Sequence, residues 1–210
     1  MYCNRFAIST GFALLFSATL SCADDHEQEY RQRIGPGNPV AGRLKSVLCH
    51  ACHASTGKQT VQNAPKLAGQ YASYLLKQLK DYRAGKRNDP AMSRIAMTLA
   101  EDDLDDIAAY FASRRMMRGS EMLIYRVGEA RYMDISRGCA TCHGENGKGL
   151  GTGNSSAPVI GGQNKDYLVE ELEDFRDGLR TNDTTGIMSL VASMMSDEEI
   201  DQVATFLSGQ

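Results

Sequence analysis

Apolar residues recur at Leu104, Ile107, Ala108 and Phe111, and again at Ile200, Val203, Ala204 and Leu207. Both sets follow the i, i+3, i+4, i+7 spacing of a helix with one buried face. Acidic residues crowd the first turn of each, where the helix dipole favours negative charge. Residues 70–84 and 163–177 contain no proline or internal glycine and stop at Gly85 and Gly178, as a helix closed by a glycine just past its end would. Shorter helices are expected over 40–48 and 128–138. The pattern predicts an all-α chain with almost no strand.

These elements come in pairs because the chain repeats itself. Ala64-Pro65-Lys66-Leu67-Ala68-Gly69-Gln70 recurs as Ala157-Pro158-Val159-Ile160-Gly161-Gly162-Gln163, an offset of 93. The same offset relates Tyr74-Leu75 to Tyr167-Leu168, Leu79 to Leu172, Asp81 to Asp174, Arg83 to Arg176, Gly85 to Gly178 and Arg87 to Arg180. The C-terminal helices are related by 96, so short loop insertions separate the copies. The expected organisation is a first domain over 30–115, a linker over 116–125 and a second domain over 126–210. Each is a helical domain of three to four helices. A chain of 210 residues, 42% hydrophobic and 23% charged, has the composition of a soluble globular protein of this size.

The N-terminus has a different character. Arg5 precedes an uncharged, mostly apolar run from Phe6 to Leu20, and Asp24 and Asp25 begin a polar chain. This is the layout of an export signal over 1–23, cleaved after Ala23. The run is shorter and more polar than the roughly 20 apolar residues of a spanning helix. Lipidation of Cys22 is the competing fate and would tether the protein to a membrane. The expected location is the periplasm, with peripheral membrane association open through Cys22, and nothing in the chain points to a nucleic-acid partner.

Export to an oxidising compartment ordinarily turns paired cysteines into disulfides. Of six cysteines, Cys3 and Cys22 belong to the leader or its edge, which leaves Cys49, Cys52, Cys139 and Cys142. They form Cys49-His50-Ala51-Cys52-His53 and Cys139-Ala140-Thr141-Cys142-His143, the C-x-x-C-H pattern of c-type haem attachment. Thiols three positions apart on a helical turn can each add to one vinyl group of a haem, and the histidine that follows is placed to bind iron. A zinc ribbon brings its two knuckles within about 15–20 residues; Cys52 and Cys139 are 87 apart. A thioredoxin-like dithiol needs an αβ setting that the flanking sequence lacks. Two covalently attached haem c groups are therefore expected, one per domain, with His53 and His143 as iron ligands.

A second axial ligand has to come from a short inventory. His50 lies inside its own attachment loop and His26 in the acidic N-terminal tail, so methionine is the remaining usual donor. Met92 and Met188 are the matched pair: each lies just before the C-terminal helix, seven residues ahead of Leu99 and Met195. Met97 and Met194 are the nearest competitors. These two, with Met116, Met117, Met122, Met133 and Met195, read as core filling, the commoner role of methionine. Pro65 and Pro158 fall between the attachment site and the methionine in both copies. Their loop carbonyls are candidates to accept the proximal histidine N–H, and loop stiffening is the alternative reading.

The two attachment sites, the repeated Pro-x-x-x-Gly-Gln…Tyr-Leu…Leu…Asp-Tyr/Phe-Arg-x-Gly-x-Arg stretch and the Met92 and Met188 segments, spread over most of 40–208, resemble the cytochrome c4 family, tandem class I cytochromes c. The resemblance implies His/Met ligation, proline carbonyls behind the histidines, a pseudo-twofold pair of domains and no catalysis. It implies electron carriage from a respiratory donor such as a cytochrome bc complex to a terminal oxidase. An alternative is a cytochrome subunit of a periplasmic dehydrogenase or flavoprotein complex. Charge is unevenly spread: residues 24–117 carry 14 basic and 11 acidic groups, residues 118–210 carry 8 and 15. The two ends are thus expected to meet different partners, since complementary charge steers encounter.

Overall fold

The computed structural model describes residues 26–53, 61, 63–119, 126–134, 138–150 and 157–210. The expected leader, Cys3, Cys22 and Met122 lie outside them. Among the described residues every regular element is helical. The first half contains α1 (26–34), α2 (Pro39–Lys45), α3 (His50–His53), α4 (Ala72–Arg83), α5 (Pro90–Thr98) and α6 (Glu101–Ser113). The second contains α7 (Arg126–Met133), α8 (Cys139–His143), α9 (Lys165–Arg176), α10 (Ile187–Ser193) and α11 (Asp197–Ser208).

Local chemistry sets the ends of these helices. Gly85 and Gly178 take the left-handed conformation just past α4 and α9, at φ 69° and 72°, as the glycine stops predicted. The segment expected as one helix over 40–48 breaks after Lys45, and the attachment residues form α3 separately. Helices α5 and α10 were not visible in the apolar pattern. Asp89 starts α5 by accepting the backbone N–H groups of Ala91 and Met92, each at 2.8 Å, and Pro90 occupies its first turn. Asp183 accepts the Met188 N–H at 2.8 Å in the second half. Ser196 and Glu199 form a capping box at the start of α11.

In each half a short early helix, α2 or α7, crosses the last one closely. A Cβ on Gly42 of α2 would lie 1.9 Å from the Asp106 carbonyl oxygen of α6, and one on Gly128 of α7 would lie 2.2 Å from that of Gln202 in α11. Asp106 and Gln202 are repeat equivalents, so both halves use the same glycine-permitted crossing. Behind it lie two separate cores. One gathers Ala72, Leu75, Ile107, Ala108 and Phe111; the other gathers Tyr132, Leu168, Ile200, Val203 and Leu207.

The halves meet through reciprocal hydrogen bonds between repeat equivalents. The Gln70 amide accepts from Val159 N at 2.9 Å and donates to Val159 O at 2.8 Å. Gln163 accepts from Lys66 N at 2.8 Å and donates to Lys66 O at 2.9 Å. Each glutamine also accepts the N–H of its own successor, Tyr71 or Asn164. Tyr71, Met117 and Val159 form a small apolar cluster at this seam. The Lys148 ammonium donates to the carbonyls of Met117, Gly161 and Gln210, tying the second half to the connecting strand of chain.

Two outcomes follow from this packing. Gly42→Ala or Gly128→Ala forces the crossing apart and should cost about 1–3 kcal/mol, read as a fall in Tm of the haem-loaded protein; unchanged melting would refute the close-crossing argument. Gln163→Ala strands half-buried backbone groups at Lys66 and Asn164 and should cost about 1 kcal/mol, with Gln70→Ala, whose partner groups at Val159 are buried, costing at least as much.

Candidate haem sites

A largely apolar cavity lies beside each attachment turn, and residues of the other half help to line it. The first, about 370 Å³, is lined by Cys49, Cys52, His53, Pro65 and Met92 together with aliphatic side chains such as Leu75. The second, about 320 Å³, is lined by Cys139, Cys142, His143, Pro158 and Met188 with Leu168 among its apolar walls. Every residue singled out in the sequence for haem attachment or iron ligation thus faces one of two cavities. No disulfide joins the four cysteines.

The attachment turn is compact. His53 N donates to the Cys49 carbonyl at 2.9 Å, so α3 presents both thiols and the imidazole to one side; α8 repeats this with Cys139–His143. The His53 Nδ1 lies 2.9 Å from the Pro65 carbonyl oxygen and the His143 Nδ1 lies 2.8 Å from that of Pro158. A carbonyl only accepts, so Nδ1 carries the proton, and Nε2 of the neutral ring keeps its lone pair. Burial pushes both imidazoles below their ordinary pKa, with the proline carbonyl opposing that shift. Burial and the Nδ1–carbonyl bond thus both suit the neutral imidazole, the form that binds metal. Burial also pushes the Cys49 thiol up.

The methionines separate by position. Met92 is the one methionine among the residues lining the first cavity. Met188 shares the second with Met195, but Met195 is a core residue whose repeat equivalent is Leu99, a residue without a donor atom. Met97 and Met194 are 62% and 50% exposed and lie away from both cavities. His50 turns from the cavity as well, its ring against Tyr110 and Phe111 at centroid distances of 5.6 and 5.5 Å.

Between the cavities lies a polar cluster whose function could not be read from sequence. Arg87 and Arg180, 6% and 7% exposed, both bond the carboxylate of Glu171. Arg87 reaches across to the Tyr167 hydroxyl at 3.1 Å and Arg180 to that of Tyr74 at 3.2 Å. Both guanidiniums also donate to Gln78. Tyr74, Gln78, Tyr167, Glu171 and Arg180 line both cavities. One net positive charge remains among these six side chains, which suits a group bearing carboxylates. A signal did exist: Tyr74/Tyr167 and Arg87/Arg180 repeat at an offset of 93 although neither pair extends an apolar helix face.

The residues fit haem and do not fit zinc. Among the described residues no three His, Cys, Asp or Glu side chains converge as a metal cage, whereas paired thiols, a neutral imidazole and a thioether around an apolar cavity are what a covalently held haem requires. The cytochrome c family model matches residues 45–115 and 128–210. Cytochrome c4 of Pseudomonas aeruginosa is 39% identical over 180 residues, covering 82% of this chain and 89% of the relative. A thiosulfate dehydrogenase electron acceptor of Stutzerimonas stutzeri is 32% identical, covering 94% and 92%. The crystal structure of reduced recombinant cytochrome c4 from Pseudomonas stutzeri superposes with a TM-score of 0.73 at 37% identity, covering 82% of this chain and 98% of that one. Repeat, cavities and relatives agree: the chain belongs to the cytochrome c4 family, with two tandem class I cytochrome c domains that hold two covalently attached haem c groups and carry electrons without catalysing a reaction.

Proposed function

We propose that this dihaem carrier works in the periplasm, taking electrons from a respiratory donor such as a cytochrome bc complex and passing them to a terminal oxidase. The reading assigns 1–23 to an export signal, 30–115 and 126–210 to the two domains and 116–125 to the linker. Cys49, Cys52, Cys139 and Cys142 would hold the haem groups, and His53 with Met92 and His143 with Met188 would bind the two irons. The observation that supports its ligand set is the matched surroundings of the two cavities, each with one thiol pair, one histidine bonded to a proline carbonyl and a methionine whose backbone N–H is held by an aspartate. Among the described residues no helix is long and apolar enough to cross a membrane.

Haem c supplies a one-electron iron couple, and a methionine axial ligand favours its reduced state. The protein does the rest. His53 and His143 present Nε2 because Nδ1 is committed to a proline carbonyl. Met92 is positioned by the Asp89 cap and Met188 by Asp183. Were His53 with Met92 and His143 with Met188 to bind the two irons, no site at the metal would be left for substrate, and the chemistry supplied would be outer-sphere electron transfer.

A second reading is favoured by the relatives named as thiosulfate dehydrogenase electron acceptors, one of which matches 94% of the chain. Under it the protein is the dedicated acceptor or cytochrome subunit of a periplasmic dehydrogenase. Purification from native membranes and periplasm separates the two: a lone carrier supports the first reading, a stoichiometric complex the second. The ligand assignment has its own test in the near-infrared spectrum of the ferric protein. Methionine-to-iron charge transfer is expected at both haem groups, and Met92→Ala or Met188→Ala should each remove half of the band. A full band in either variant would overturn that assignment.

A further inference from the structure

The second domain exposes an apolar stripe on the helix that carries its methionine. Ile187, Leu190 and Met194 are 49%, 63% and 50% exposed and follow helical spacing along the outer side of α10 and its C-terminal cap residue, while Met188 and Val191 line the cavity. Ile187 lines it too, so the stripe starts at the cavity's edge. The repeat equivalents in α5, at an offset of 96, are Ala91, Arg94 and Thr98. Arg94 puts a charge where the second domain has Leu190, and Met97 is the exposed apolar side chain that remains on that helix.

The surrounding charge is inverted as well. Beside α5, Glu101 is bonded by Lys80 at 3.0 Å and by Arg83; with Arg94 these four groups sum to +2. Their counterparts are Asp197 for Glu101, Glu173 for Lys80 and Arg176 for Arg83, and Asp177 replaces the neutral Ala84. Arg176 bonds Asp197 at 2.6 Å and Asp177 at 3.2 Å, so the second domain's four groups sum to −2. Asp197 is 85% exposed despite that bond.

We infer that the α10 face, Ile187, Leu190 and Met194 within the rim of Glu173, Asp177 and Asp197, is the docking surface for a redox protein whose contact patch is apolar at its centre and basic at its edge. The inference builds on the electron-carrier assignment and adds which domain meets which partner. Apolar anchors supply the contact and charged rims steer the encounter. The equivalent face of the first domain presents Arg94 and a positive rim, which repels the same partner. One chain thereby offers two unlike entrances, at the same place relative to each methionine.

The test uses the full haem-loaded protein and two oxidised monohaem cytochromes c as probes, one strongly basic and one strongly acidic, with electron transfer followed by stopped flow. Leu190→Ser combined with Met194→Ser should slow transfer to the basic probe about tenfold, equivalent to roughly 1.4 kcal/mol, and leave the acidic probe unaffected. Asp197→Lys should slow the basic probe at low salt and lose that effect at high salt. Arg94→Ser, its first-domain equivalent, should leave the basic probe's rate unchanged. Retained near-infrared bands and haem potentials in each variant show that the haem sites are intact. Equal slowing of both probes, an equal effect of Arg94→Ser, or no slowing in the double variant would overturn the surface. A wild-type protein without the methionine band would instead overturn the axial assignment, and the rate comparison would still decide the surface.

Discussion

The bond from the His53 ring to the Pro65 carbonyl, with its twin from His143 to Pro158, governs more of the molecule than its length suggests. It fixes which imidazole nitrogen is protonated and so which one is left for iron. The next residue in each loop is Lys66 or Val159, and its N–H and C=O are the groups bonded by Gln163 or Gln70 of the other domain. A single peptide thus sits between the orientation of one metal ligand and the closure of the two domains. The loop at one site cannot shift without straining the contact that holds the other.

Around that constraint the domains are alike where haem chemistry requires it and unlike where it does not. Ala96 and Ala192 are fully buried, as are Leu104 and Ile200, so the helix packing behind the two cavities is closely matched. The faces of α4 and α9 diverge: Lys77, Gln78 and Lys80 correspond to Glu170, Glu171 and Glu173. The uneven charge along the chain is therefore local. It concentrates at the seam and at the edges of the cavities.

Much of the site was legible in the sequence because thiol, imidazole and thioether groups have few other uses in such a spacing. Counting histidines was enough to point to methionine, and the repeat to Met92 and Met188. The long helices were visible through apolar periodicity, whereas α5 and α10 were not: both are short, α5 starts at the Asp89 cap and α10 at Gly186 with Asp183 bonding the Met188 N–H, and each divides its inner face between a cavity and the neighbouring α4 or α9. The seam was hidden for a related reason. Gln70, Gln78, Arg87 and Arg180 are polar, and polarity along a chain reads as exposure until a second polar surface is found to cover it. Asp174, which as an isolated helix position looks like an ordinary solvated acid, lines the first cavity.

The exchange at the seam has the form of a contact between two identical subunits: residue i of one bonds residue j of the other, and the reverse. A homodimer built on it would be compelled to use one residue at each pair of equivalent positions. Two copies of glutamine at the centre would leave both arginines without a carboxylate, and two copies of glutamate would set two acids side by side. Joining the copies in one polypeptide removes that compulsion, so Gln78 and Glu171 can occupy equivalent places and serve both arginines with one carboxylate. Covalent continuity here is a licence for asymmetry.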